Sequence, residues 1–92
     1  MKRTGRFYVY IVECADGTYY TGSTNNLKNR IKLHNSGHGA KYLRGKTPVK
    51  MVYAKEYKRY KNTLHAERNI KKLTRAGKEE LVRIYGKKGR IG

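Results

Sequence analysis

Two short runs of β-branched and aromatic residues, RFYVYIVEC (6–14) and TYYTGS (18–23), flank Ala15-Asp16-Gly17. That arrangement commits the chain to a β-hairpin near its start, because Asp-Gly takes up the left-handed backbone of a tight turn at little cost. The first run shows no clean polar alternation, which predicts a central strand covered on both faces. Loop length then decides what the hairpin presents. A two-residue Asp16-Gly17 turn pairs Ala15 with Thr18 and sends Tyr10 and Tyr20 to opposite faces. A three-residue loop with Gly17 left-handed pairs Cys14 with Thr18 and puts both phenols on one face, since strand side chains alternate with period two. The residues alone permit either.

Beyond the hairpin, Thr24-Asn25-Asn26 supplies caps for a helix starting near Leu27. Leu27, Arg30, Ile31 and His34 recur at helical spacing and share a face. Gly37-His38-Gly39 ends that helix, and AKYLRGKTP reads as a loop with room for one helical turn. VKMVYAKEY (49–57) alternates Val49, Met51 and Tyr53 against Lys50, Val52 and Ala54, predicting a third strand near an edge, reached by a crossover. Asn62 or Thr63 is placed to cap a second helix with Thr63, Ala66, Glu67, Ile70 and Leu73 inward, and Thr74 a third over roughly 75–85. The order ββ-α-β-α-α predicts a small α/β (α+β) sandwich built on a three-stranded sheet. Residues 1–92 are expected to form one domain, with a core of about 6–85 and a flexible tail over 86–92.

Charge narrows the partner. Twenty-three Lys and Arg oppose six Asp and Glu, a net +17 spread from Lys2 to Arg90. Distributed positive charge suits the phosphates of a nucleic acid, with an anionic membrane surface as the weaker alternative. No apolar run is long enough for a transmembrane helix. The basic start is followed by mixed strand residues, which is not a signal-peptide pattern, so the expected location is the cytoplasm, with nucleoid association in a bacterium. One cysteine, Cys14, excludes an internal disulfide and reads as a small apolar strand residue.

Among six acids, Glu67 is the most informative. Asp16 belongs to the turn, and Glu79 and Glu80 to the start of the last helix. Glu67 falls beside Ala66 and Ile70 on a face that should be packed, where a lone carboxylate needs a partner. An ion pair with one of the many cations is the plain explanation. The sharper one is a Mg²⁺ ligand, since that ion keeps several waters and takes few protein donors. Tyr10 and Tyr20 are ordinary amphipathic strand residues unless a cationic field favours phenolate, in which case they acquire acid–base chemistry. Arg30 faces the sheet and is placed to clamp a phosphate; His34, one turn on, shares its side. A histidine-based metal site is not expected. Gly22 either ends a strand or lets another group approach the backbone closely.

These residues together resemble the GIY-YIG nuclease superfamily. YVY (8–10), YTG (20–22), Arg30, His34 and Glu67 occur in that family's order, and YTGST, GHGAKYLRGKTPVKMVY and HAERNIKKLTRAGKEELV look like its small standalone members. The glycine of GIY is Tyr8 here and the isoleucine of YIG is Thr21, neither at a position with proposed chemistry. The resemblance implies a three-stranded antiparallel sheet flanked by helices and a divalent-metal-dependent endonuclease acting on DNA. Tyr10 would be the general base or relay, Tyr20 would orient phosphate or water, Arg30 would stabilise the phosphorane, His34 would bind phosphate or adjust Tyr10, and Glu67 would hold one Mg²⁺ or Mn²⁺. Lys41, Arg44, Lys71 and Lys72 join Arg30 as expected nucleic-acid contacts, with Gly17 and Gly22 as structural turn residues. If both phenols serve one phosphate they must share a face, which selects the three-residue loop or a five-residue equivalent of the same parity. Tyr8 and Tyr19 are then expected to fill space on the opposite side. The rival reading is a non-catalytic DNA or RNA binder, and a protein partner is a possible source of specificity.

Overall fold

The hairpin closes through the three-residue loop. In the computed structural model, which describes residues 4–89, β1 (Thr4–Glu13) pairs antiparallel with β2 (Tyr19–Thr24), setting Glu13 against Tyr19 and Tyr10 against Gly22. The Cys14 N–H donates to Thr18 O at 2.8 Å, and Gly17 takes the positive φ of 86° that the loop requires. Asp16 Oδ1 accepts from the Thr18 N–H at 3.0 Å, an Asx turn that explains this carboxylate. Tyr10 and Tyr20 therefore share a face. Tyr19 packs on the other, as expected, but Tyr8 does not: strand alternation from Tyr10 puts it on Tyr10's side.

β3 (Lys50–Arg59) pairs antiparallel with β1, giving the order β2-β1-β3. β1 is central and covered on both faces, with Val9, Tyr10, Ile11 and Val12 each at 0–1% exposure. The alternation expected of β3 breaks at a bulge. Ile11 opposes Tyr53 but Val12 opposes Met51, so one extra residue intervenes. Val49 and Met51 consequently pack with Tyr10, Val12 and Cys14, while Tyr53 crosses to the other side and Ala54 replaces it.

α1 (Leu27–Asn35) covers the Tyr10 face. Asn26 caps it, its Oδ1 accepting from the Asn29 N–H at 3.0 Å, and Gly37 at φ 86° ends it. The loop beyond carries one 3₁₀ turn, Lys41–Leu43, whose Leu43 is buried in the same core. α2 (Tyr60–Lys71) and α3 (Arg75–Gly89) cover the opposite face around Val9, Ile11 and Ile70. α2 begins directly from β3 rather than at a cap on Asn62 or Thr63. Thr63 instead lies within the helix and donates back to Arg59 O at 3.0 Å. Leu73, expected inward, follows the end of α2 and is 40% exposed. α3 extends through residues 86–89 of the expected tail; residues 90–92 lie outside the described residues. Arg75 fastens α3 to the hairpin. Its guanidinium donates to Gly17 O at 2.8 Å and lies 4.0 Å from the centroid of the Tyr19 ring.

Candidate active site

The site starts at the close approach of β1 to β2. Tyr10 lies against Gly22 on the neighbouring edge strand, and a Cβ on Gly22 would sit 2.6 Å from the phenol oxygen and 2.8 Å from Cζ. The absent side chain is what lets the Tyr10 ring lie flat across β2, so Gly22 serves close approach and not merely the end of a strand. From there the Tyr10 oxygen meets Nε2 of His34 at 2.9 Å. Both side chains are enclosed, at 1% and 2% exposure. Helical spacing in α1 brings His34 to the sheet one turn after Arg30, as the Leu27/Arg30/Ile31/His34 pattern requires.

Tyr20, half-buried, meets the His34 ring edge-on at a centroid distance of 5.8 Å. Its other neighbour is Tyr42, stacked at 5.8 Å with 21° between ring planes. Lys46 in turn lies 3.9 Å from the Tyr42 centroid and pairs with Asp16 at 3.4 Å. Tyr42 and Lys46 escape notice in the sequence because GHGAKYLRGK reads as a loop. Only the folding of that loop over Tyr20 gives them a place beside the site.

Electrostatics inside this cluster run against the simplest expectation. A strongly basic domain should favour phenolate, yet Tyr10 is raised to about 12. Burial is the largest cause, followed by the neighbouring Tyr20; Arg30 pulls the other way, by its charge and by donating toward the phenol oxygen, and Glu67 adds a small upward push. Desolvation outweighs the net charge because most of the cations are solvated far from this atom. His34 is lowered, first by burial and then by Arg30, so its ring is neutral near neutral pH.

Tyr10, Tyr20, Arg30 and His34 thus form one connected group. Glu67 stands apart from it. It projects from α2, the helix across the sheet, and its carboxylate pairs with Lys71 at 2.9 Å, the plain explanation considered from sequence. It lines a separate pocket with Leu64, Arg68 and Lys71, and two facts relate it to the group. Its charge acts on Tyr10. It also follows Thr63 by one helical turn, and Thr63 lines a cleft of about 230 Å³ together with Phe7, Ser23, Thr24, Asn25, Tyr60 and Arg30. That cleft is where α1, α2 and the end of β2 meet.

Among the described residues no group of three or more His, Cys, Asp or Glu side chains could enclose a metal. His34 and His38 are four apart in sequence, but α1 ends at Asn35 before His38, whose Nδ1 meets the Ser36 hydroxyl at 3.3 Å. Glu67 alone, 17% exposed, offers a hard oxygen donor, which fits an ion held by one carboxylate and water and no richer site. Lys41, Arg44, Lys71 and Lys72 are all exposed.

A central-strand tyrosine that crosses a glycine to meet a helix-borne histidine marks a small α+β domain with a buried polar cluster on one face of its sheet, and comparison with known proteins gives its family. The chain belongs to the GIY-YIG nuclease superfamily: the family model for the GIY-YIG catalytic domain matches residues 6–80. It is 52% identical over 75 residues to a UPF0213 protein of Clostridium perfringens, covering 82% of this chain and 81% of that one. Over 74 residues it is 46% identical to a UPF0213 protein of Halobacterium salinarum, covering 80% and 96%. The solution structure of a UPF0213 protein from Bacillus halodurans superposes with a TM-score of 0.60 at 43% identity, over 89% of this chain and 87% of that one.

Proposed function

We propose that this chain is a divalent-metal-dependent DNA endonuclease of low sequence specificity, directed to branched, nicked or damaged DNA. The observation that supports it best is the buried Tyr10–His34 contact at 2.9 Å, with Arg30 and Tyr20 acting on the same phenol. A phenol needed only for bulk does not require a glycine opposite it, a hydrogen-bonded oxygen and a cation beside it.

In this reading the scissile phosphate enters the cleft lined by Arg30, whose guanidinium clamps it and stabilises the charge that builds in the transition state. Tyr10 is the proton acceptor for the attacking water, and Tyr20 orients that water or the phosphate. With Tyr10 raised to about 12, only roughly 1 in 10⁵ molecules holds phenolate at pH 7 in the resting site. The site therefore has to be charged further before Tyr10 works as a base. Glu67 would hold the Mg²⁺ or Mn²⁺, after Lys71 releases it; the ion supplies positive field at the reacting oxygens. Lys41, Arg44, Lys71 and Lys72 are the proposed contacts to the flanking backbone, neutralising phosphates without reading sequence. Action within the cytoplasm, and a protein partner that supplies specificity, complete the proposal.

The Glu67–Lys71 pair and the raised Tyr10 favour a second reading, a non-catalytic nucleic-acid binder. A cleavage assay on linear, nicked and branched DNA with Mg²⁺ or Mn²⁺ separates them. Nuclease action requires metal-dependent cleavage that Tyr10→Phe and Glu67→Ala abolish while DNA binding persists. Binding of all substrates with no cleavage of any would leave the binder.

A further inference from the structure

The loop after α1 does something that neither the family assignment nor the proposed reaction specifies. The backbone N–H of Ala40 donates to Nδ1 of His34 at 3.3 Å. Gly39 makes this possible: a Cβ there would lie 2.7 Å from the His34 Cα and nearer still to Nδ1, so only a glycine lets the loop lie on the ring. An N–H donor facing Nδ1 requires that nitrogen to carry a lone pair. The one proton of the neutral ring is then on Nε2, the nitrogen that faces Tyr10 at 2.9 Å.

We infer that Gly39 and Ala40 are positioning residues that fix His34 as the Nε2–H tautomer, so that His34 donates to the Tyr10 oxygen and does not take its proton. Two roles were open for a histidine touching this phenol: a base that removes the Tyr10 proton, or a donor that holds the oxygen. They need opposite protonation at Nε2. As a base, Nε2 must start with a lone pair and the ring must become a cation with a proton on both nitrogens. Ala40's N–H then faces a second N–H, and the new charge is buried beside Arg30. As a donor, His34 has both ring nitrogens satisfied at once. The Tyr10 oxygen accepts from Nε2–H, and its own hydrogen is turned away from His34. Arg30, the other group donating toward that oxygen, acts in the same direction. A hydrogen bond donated to the oxygen favours phenolate whenever it forms, partly offsetting the cost of burial.

The tautomer does not depend on the nuclease reading; its role in the reaction does. Long-range ¹H–¹⁵N correlation on the ¹⁵N-labelled full chain near neutral pH reads the tautomer directly. The expected His34 pattern is one protonated nitrogen, Nε2, and one unprotonated acceptor, Nδ1. A proton on Nδ1, an averaged pattern, or an imidazolium refutes the inference, whatever the cleavage assay shows. Gly39→Ala, which pushes the loop off the ring, should convert the pattern to an averaged one in a chain that remains folded; an unchanged pattern removes Gly39 and Ala40 from the role. In cleavage, His34→Gln keeps an N–H donor that cannot act as a base. It should retain activity within about tenfold of the parent, with His34→Ala down about a hundredfold or more. A folded His34→Gln as inactive as His34→Ala would make His34 the proton acceptor. Absence of cleavage by the parent chain refutes the nuclease reading and leaves the tautomer to the spectra.

Discussion

Gly22→Ala tests whether the close approach of Tyr10 to β2 is what builds this site. The added methyl carbon would start 2.6 Å from the phenol oxygen and 2.8 Å from Cζ. Ordinary contact is about 3.5 Å, so one partner must move by about 0.9 Å. Neither has room. Tyr10 is enclosed, its oxygen is tied to His34 at 2.9 Å, and Gly22 is paired within the sheet. Overpacking of this kind costs about 1–3 kcal/mol, read by urea unfolding. A displacement near 1 Å at a reacting group costs about a hundredfold in rate, read by metal-dependent cleavage. In a Tyr10→Phe background the nearest clashing atom is gone, so the Gly22→Ala penalty should shrink by at least about 0.5 kcal/mol, a coupling expected of touching residues. A Gly22→Ala chain as stable and as active as the parent would show that the phenol is not held against β2 and would remove the structural basis of the site.

Three further outcomes follow from the same geometry. Because Tyr10 is raised to about 12, the folded state loses stability as pH climbs from the unfolded value near 10 toward 12, by roughly 2–3 kcal/mol; alkaline unfolding of Tyr10→Phe should lack that component. His34 is lowered, so its contribution is present above about pH 6.5 and lost as pH falls through that value toward the folded one; acid unfolding curves of His34→Gln should be flatter there. Arg75→Ala removes the 2.8 Å bond to Gly17 and the stacking on Tyr19, and should cost about 1–2 kcal/mol in urea unfolding without altering the His34 ring spectrum.

Much of this molecule was legible in the residues. The hairpin, the buried central strand, the Asn26 cap and the alignment of Arg30 with His34 all follow from local rules: turn chemistry, period two, capping and period 3.6. Each depends on neighbours in sequence, so a linear reading reaches it. The three-residue loop was selected by a chemical demand, that two phenols face one phosphate, and the register agrees with it. The bulge at β3 was invisible, because an extra residue in one strand is defined only against its partner. The misplacement of Tyr8 came from expecting packing where strict alternation already gave the answer.

By itself, then, the sequence determined which elements form and how they are ordered, and its resemblance to a family singled out Tyr10, Tyr20, Arg30, His34 and Glu67 as candidates. Only the tertiary structure decided their states. Burial raises Tyr10 against the pull of seventeen net positive charges, Lys71 occupies Glu67, and the backbone at Ala40 faces Nδ1 of His34. The physical reason is that a side chain's proton affinity and partners depend on the dielectric and on the atoms within a few ångströms, and those atoms arrive from distant parts of the chain.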